Sequence, residues 1–198
     1  MNKFRSLAIV AGILIYITGA SSVLRGGKAS RNELPVLGEA PGFELINQDG
    51  EKVRFDSFNG KVKVMSFIYA RCHMANRCPL TTKNFKIIQE SLDDKYGDNT
   101  VILSITFDPE SDTPGTLKRY GELYGAVFTN WHFLTGTKKD IDRLCEQYEI
   151  IHEEQEGPSI RHSLITFLVD QNNNIRKMYF ANAWKPEEVI SDVIALLD

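Results

Sequence analysis

Two runs rich in apolar and β-branched residues, 62–69 (VKVMSFIY) and 101–107 (VILSITF), each lead into a stretch with apolar residues at helical spacing. A strand apolar on both faces must be covered on both faces, and a chain does this by returning through helices. The first return carries Phe85, Ile88 and Leu92 within residues 79–92. The second carries Leu117, Tyr120, Leu123 and Tyr124 within 116–124. A short strand at 131–134 and a helix over 138–149, with Ile141, Leu144, Cys145 and Tyr148 on one face, continue the alternation. Residues 163–169 and 175–180 then flank Asp170-Gln171-Asn172-Asn173-Asn174, which reads as a hairpin turn. A last helix over 186–197 has Pro186 in its first turn. Phe43-Glu44-Leu45-Ile46, a turn at Asn47-Gln48-Asp49-Gly50 and residues 53–55 form an N-terminal β-hairpin. The expected order behind that hairpin is β-α-β-α-β-α-β-β-α. This is an α/β sandwich with helices on both faces, and the closing β-β-α makes it thioredoxin-like.

The length of 198 residues suits one such domain with a tail. A formal charge of -3, with no basic stripe, argues against a nucleic-acid partner. Three cysteines are too few for a disulfide-stapled scaffold. The tail is the N-terminus. Lys3 and Arg5 precede 18 uncharged residues, 7–24 (LAIVAGILIYITGASSVL), closed by Arg25 and Lys28. A basic start and an unbroken apolar run form a signal peptide or signal anchor. The expected organisation is therefore a signal segment at 1–27, a linker at 28–37 and a folded domain at 38–198. The domain lies outside the cytoplasm, in the periplasm or on the outer face of the inner membrane, and the segment ties it to the membrane unless cleaved.

The chemistry concentrates in Tyr69-Ala70-Arg71-Cys72-His73-Met74-Ala75-Asn76-Arg77-Cys78-Pro79-Leu80, between a central strand and a helix. Ligands gather at the carboxyl ends of strands in such sheets. Cys78 stands at the helix N-terminus, where free N–H groups and the helix dipole favour a thiolate, and Arg71 and Arg77 act in the same direction. A thiolate attacks disulfides and binds soft metals. The plainer alternative is a structural disulfide closing a short loop, worth about 2–4 kcal/mol at most. Two cysteines do not make a four-ligand zinc site, whereas two thiolates with one further ligand suit copper.

The candidates for a third ligand are His73, His132, His152, His162 and Cys145. Cys145 lies on an apolar helix face and reads as a core thiol. His132, between Trp131 and Phe133, reads as structural, and His152, in an acidic run, as solvated. His73 adjoins Cys72, which makes joint chelation awkward. His162 precedes a strand after Gly157-Pro158-Ser159-Ile160-Arg161, in a loop that a thioredoxin-like fold sets beside the cysteine loop.

In these segments the chain resembles the Sco/SenC family of copper proteins. Four stretches are similar in order: the cysteine loop; Asp108-Pro109-Glu110-Ser111-Asp112-Thr113-Pro114 after its strand; Trp131-His132-Phe133-Leu134-Thr135-Gly136; and Arg161-His162-Ser163 with Phe167-Leu168-Val169-Asp170. The resemblance implies a thioredoxin-like fold and one copper ion bound by Cys72, Cys78 and His162. It also implies Asp108 as an acidic neighbour of that site. The implied function is a copper chaperone for the Cu(A)-containing subunit of a cytochrome c oxidase, kept competent by a thiol reductant. Five residues separate the cysteines here where familiar members have three. The competing expectation is an extracytoplasmic thiol–disulfide oxidoreductase that uses Cys72 and Cys78 as a redox pair. Only copper binding needs His162. A non-catalytic binding module with a structural disulfide is the third reading.

Overall fold

A computed structural model describes residues 34–154 and 160–198. The expected signal segment, the first part of the linker and Gly157-Pro158-Ser159 lie outside the described residues. Among the described residues, no helix is long and apolar enough to cross a membrane.

The elements in chain order are β1 (Gly38–Glu39), β2 (Glu44–Ile46), β3 (Lys52–Arg54), β4 (Val62–Ile68), α1 (Cys78–Tyr96), β5 (Thr100–Thr106), α2 (Pro114–Leu123), β6 (Trp131–Leu134), α3 (Lys138–Gln147), β7 (His152–Glu154), β8 (Ile160–His162), β9 (Ile165–Val169), β10 (Asn174–Phe180) and α4 (Pro186–Leu197). Six strands form the main sheet in the order β1-β10-β9-β4-β5-β6. The β4–β5 and β5–β6 pairs are parallel; β4–β9, β9–β10 and β10–β1 are antiparallel. The expected N-terminal hairpin is β2–β3, a separate two-stranded sheet that touches the strand-end residue Thr135 through Ile46.

Every residue of β4 and β5 is buried, because both strands are covered on both faces. On one face, Phe85 of α1 packs against Trp131 of β6, and Tyr120 of α2 packs against Phe133. Helix α4 packs beside α1. On the other face, Tyr148 at the end of α3 meets Phe67 of β4 and Phe167 of β9. Gly121 has no room for a side chain: a Cβ there would lie 2.7 Å from Phe128 and 2.8 Å from Phe133. The α2 backbone can therefore approach the β6 aromatics closely.

Register sets the geometry of the site. Ile68 pairs with Thr106, so β4 and β5 end level with one another. Ser66 pairs with Thr166, so antiparallel β9 begins at this same end, and Phe180 pairs with Ile165, so β10 finishes there. The loops at 69–77 and 107–113, residues 162–164 and residues 181–185 thus meet at one edge of the sheet.

Two features differ from the sequence expectation. Strands β7 and β8 form a small antiparallel pair that the polar sequence does not announce, with His152 opposite His162. The end of the expected linker is also fixed to the sheet. Leu37 N–H donates to Ile175 O (2.8 Å), and the Arg176 guanidinium donates to the carbonyls of Leu34 and Pro35.

Lys63 is fully buried within β4. Its ammonium donates to Lys61 O (2.9 Å) and Asp170 O (3.2 Å) and lies 5.4 Å from the Phe55 ring centroid. Burial, opposed in part by the charge of Asp170, pulls its pKa down to about 8. The unfolded chain holds this proton up to about pH 10.4, so between these values it binds more protons than the folded one. This lysine therefore makes stability rise with pH over that window. Comparison of urea unfolding at pH 7.5 and 9.5 for wild type and Lys63→Met should show a wild-type gain over the variant on the order of 2 kcal/mol. Parallel pH profiles for the two proteins would refute the assignment.

Candidate functional site

The cysteine loop leaves β4 at Tyr69. Cys72 N–H turns back to Tyr69 O (3.3 Å), and Arg77 N–H closes onto Met74 O (2.9 Å). Helix α1 begins at Cys78, with Pro79 in its first turn, where a missing N–H costs no helical hydrogen bond. His73, Met74, Ala75 and Asn76 are exposed, whereas Cys72 and Cys78 are buried and reduced. Cys78 is fully enclosed, and Cys72 retains 7% of its surface.

His162 reaches the cysteines from β8. Its Nε2 lies 3.6 Å from Cys78 Sγ, and its Nδ1 lies 2.8 Å from Ser163 O. The carbonyl can only accept, so Nδ1 carries a proton and Nε2 is the nitrogen turned toward the sulfurs. The imidazole is wedged among aromatics, 4.5 Å from the Phe107 ring centroid and edge-on to Tyr69 at 5.7 Å. The Tyr69 hydroxyl accepts from Ile160 N–H (3.5 Å). Cys72 also interacts with Cys78 and with His162. Among the described residues, no group of three His, Cys, Asp or Glu side chains is already gathered as a metal cage.

The two thiols are electrostatically unequal, in the sense opposite to the sequence expectation. The Cys78 thiol, donating toward Cys72, holds the Cys72 sulfur well below the usual thiol range. His162 and the N–H groups of Met74 and Cys78 add to this against the cost of burial. Cys78 is pushed up by the neighbouring Cys72 and by burial. The first amide of α1 thus serves the sulfur of Cys72 and leaves Cys78, one residue along, as the protonated partner.

Asp108 stands beside the loop and touches it through Arg71. Arg71 Nη2 and Nε donate to its Oδ2 at 2.7 and 3.2 Å. Asp112, which the sequence reading left unremarked, is fully buried. Its Oδ2 accepts from Ala70 N–H (3.0 Å) and from the Thr106 hydroxyl (2.6 Å), and Thr106 in turn accepts from Asp108 N–H. Its Oδ1 has no protein partner, and burial raises its pKa. The signal for it was its place in the Asp-Pro-Glu-Ser-Asp-Thr-Pro stretch, beyond the end of β5.

The other candidates lie elsewhere. Cys145 is sealed in the core under α3, where burial pushes its thiol up to about 12. His132 packs on Phe58, and burial lowers its pKa. His152 is not freely solvated: its side chain is 23% exposed and its Nε2 lies 3.2 Å from Asp142 Oδ1. Pairing of β7 with β8 draws it inward, a tertiary constraint invisible in an acidic stretch of sequence.

The chain matches the SCO1/SenC family model over residues 35–198. It is 31% identical to the SCO1 protein homolog of Bacillus subtilis strain 168 over 163 residues, 80% of this chain and 83% of that protein. BsSco, described as a member of the Sco family of cytochrome c oxidase assembly proteins with a disulfide switch, is 30% identical. Its structure superposes with a TM-score of 0.70 over 82% of this chain and 95% of that one. Arabidopsis thaliana ScoI, solved with copper bound, shares the fold at 22% identity, with a TM-score of 0.70 over 80% of this chain and 97% of that one.

The unequal thiols give a selective labelling pattern. A brief pulse of iodoacetamide at pH 6 on the reduced protein should modify Cys72 first, because a depressed thiol stays ionised well below the usual value. Cys145 should stay unmodified until the protein is unfolded. Peptide mass spectrometry reads the order, and faster labelling of Cys78 than Cys72 would reverse the assignment.

Proposed function

This chain belongs to the SCO1/SenC family, and on that premise we propose that it is a copper carrier in the assembly of a cytochrome c oxidase. The observation that carries this reading is the contact between Cys78 Sγ and Nε2 of His162 (3.6 Å), with Cys72 alongside. Two thiolates and an imidazole form a donor set that accommodates both copper states. Copper is the cargo. The copper-bound relative and the oxidase-assembly relative support the same assignment.

In this reading Cys72 supplies the first thiolate. Cys78 loses its proton as the metal enters, and His162 gives Nε2 without changing tautomer, because Ser163 O already holds Nδ1–H. Closure of the exposed loop at 73–76 brings the three donors together. Three protein ligands leave a side open to an acceptor, and the Cu(A) subunit of the oxidase is the proposed recipient. Asp108 acts through Arg71, fixing the start of the loop, rather than as a ligand. Capture trades protons for metal, so affinity falls with falling pH. A Cys72–Cys78 disulfide blocks capture, and restoring the dithiol takes two electrons and two protons from a thiol reductant. In this reading the apolar run at 7–24, unless cleaved, anchors the domain at the membrane on its extracytoplasmic side.

One observation favours a second reading, that of a thiol–disulfide oxidoreductase. Cys72 is both the more accessible and the more acidic thiol, as an attacking cysteine should be. Its thiolate would attack a partner's disulfide and expel one partner thiolate, which takes up a proton; Cys78, on losing its own proton, would then attack the Cys72 sulfur, forming the Cys72–Cys78 disulfide and expelling the second partner thiolate.

Anaerobic copper titration of the reduced protein separates the two. The wild type should bind one copper tightly. Cys72→Ser, Cys78→Ser and His162→Ala should each weaken binding by more than the about 10- to 100-fold typical of losing an outer-sphere partner. Absence of specific copper binding in the wild type would sink the carrier reading. Tight binding indifferent to His162→Ala would remove the histidine from the donor set.

A further inference from the structure

The strand that carries His162 is not part of the main sheet. Among the described residues it pairs only with β7, whose connection to it runs through residues outside those described. Something must therefore hold His162 against the cysteine loop. The aromatic contacts of its ring with Phe107 and Tyr69, and the Nδ1 bond to Ser163 O, orient the imidazole on its own strand, but they do not fix the His162 backbone against the start of α1. Direction comes from Arg77. Its Nη2 donates to the main-chain oxygen of His162 at 2.7 Å, a charge-assisted bond that runs from the residue before Cys78 to the backbone bearing the third donor.

Arg77 is itself held in place. Asn182, in the turn after β10, donates from Nδ2 to the carbonyls of Asn76 and Arg77, each at 3.0 Å, and accepts from the Thr81 hydroxyl at 3.0 Å. Thr81 N–H returns to Arg77 O (3.0 Å) in the first turn of α1. One asparagine thus pins the end of an otherwise exposed five-residue loop to the body of the domain. Arg77 then extends that fixed point across to β8.

We propose that Arg77, fixed by Asn182, is the positioning residue that sets the distance between the Cys72–Cys78 pair and His162. The proposal rests on the copper-carrier reading for its consequence and on this hydrogen-bond network for its geometry. A guanidinium suits the task because its planar fork fixes direction, which a flexible ammonium does not. Neither residue touches the metal site with its own donor atoms, so each acts through the backbone it holds.

The test uses Arg77→Met, which keeps the length and loses the fork, and Asn182→Ala, which keeps the arginine and frees its anchor. Two readouts are taken on reduced full-length protein. The first needs no metal: amide hydrogen exchange at residues 160–163 should accelerate about tenfold in both variants, as expected for loss of a charge-assisted bond. The second is copper titration with absorption spectroscopy. Affinity should fall about 10- to 100-fold, as for other residues that orient a ligand, and the sulfur-to-Cu(II) charge-transfer band should shift. A general loss of stability would lower the melting temperature without moving that band. Wild-type exchange rates and an unmoved band in both variants would overturn the proposal. If the wild type binds no copper, the carrier reading fails, and the exchange rates alone still decide whether Arg77 positions His162.

Discussion

Strand β4 has a parallel partner on one side and an antiparallel partner on the other, and the placement of chemistry in this domain follows from that mixed pairing. A parallel neighbour brings the two strand-to-helix loops to the same edge. An antiparallel neighbour brings to that edge the segment preceding a strand. The cysteines arrive by the first route, after β4, and His162 by the second, before β9. Cys78 and His162, 84 residues apart in the chain, are thus brought together by main-chain registers.

What the sheet delivers coarsely, buried polar groups adjust finely. Asp112 gives one carboxylate oxygen to Ala70 N–H and to the Thr106 hydroxyl, locking the exit of β4 to the exit of β5. Its other oxygen is left without a protein partner, a costly arrangement in a buried site. Lys63 at the opposite end of β4 shows the same pattern, a buried charge kept on two main-chain carbonyls. Such groups spend stability, and what they return is a single register and a single loop conformation. At the site end that return is used directly, because Ala70 is two residues from Cys72.

The periodicity of the sequence made the main strands and all four helices legible, since each buries a face wide enough to leave a pattern. Helix α1 runs past the expected end at Leu92 because Asp93, Asp94 and Lys95 face outward and leave no apolar mark. The β7–β8 pair escaped for a related reason: its residues are polar, and its existence depends on Ile151 and Ser163 bonding across to one another. The same blindness misjudged His152, which looks solvated in a run of glutamates and is drawn inward by its strand. The cysteines were found by their position between strand and helix, but the order of their acidities was not. Proximity to a helix N-terminus was the right principle, and it applied to the sulfur that the free amides face rather than to the residue that begins the helix.

That inequality bears on how a dithiol can serve both metal and redox chemistry. Two adjacent thiolates repel, so at neutral pH the pair settles with one negative charge, shared through the proton that Cys78 directs at Cys72. A cation entering the site would relieve the repulsion and make the second ionisation favourable, so the pair would become a dianion only with a metal to hold. An incoming disulfide would meet a different face of the same arrangement, the more accessible thiolate of Cys72 with a protonated resolving partner behind it. The cysteines alone therefore do not choose between the two chemistries. The choice rests with His162, whose ring is oriented by the Nδ1–H bond to the Ser163 carbonyl and whose backbone is held in place by Arg77. Thiol exchange has no use for an imidazole nitrogen fixed in that direction, whereas a soft metal bound by two sulfurs would need a third donor there.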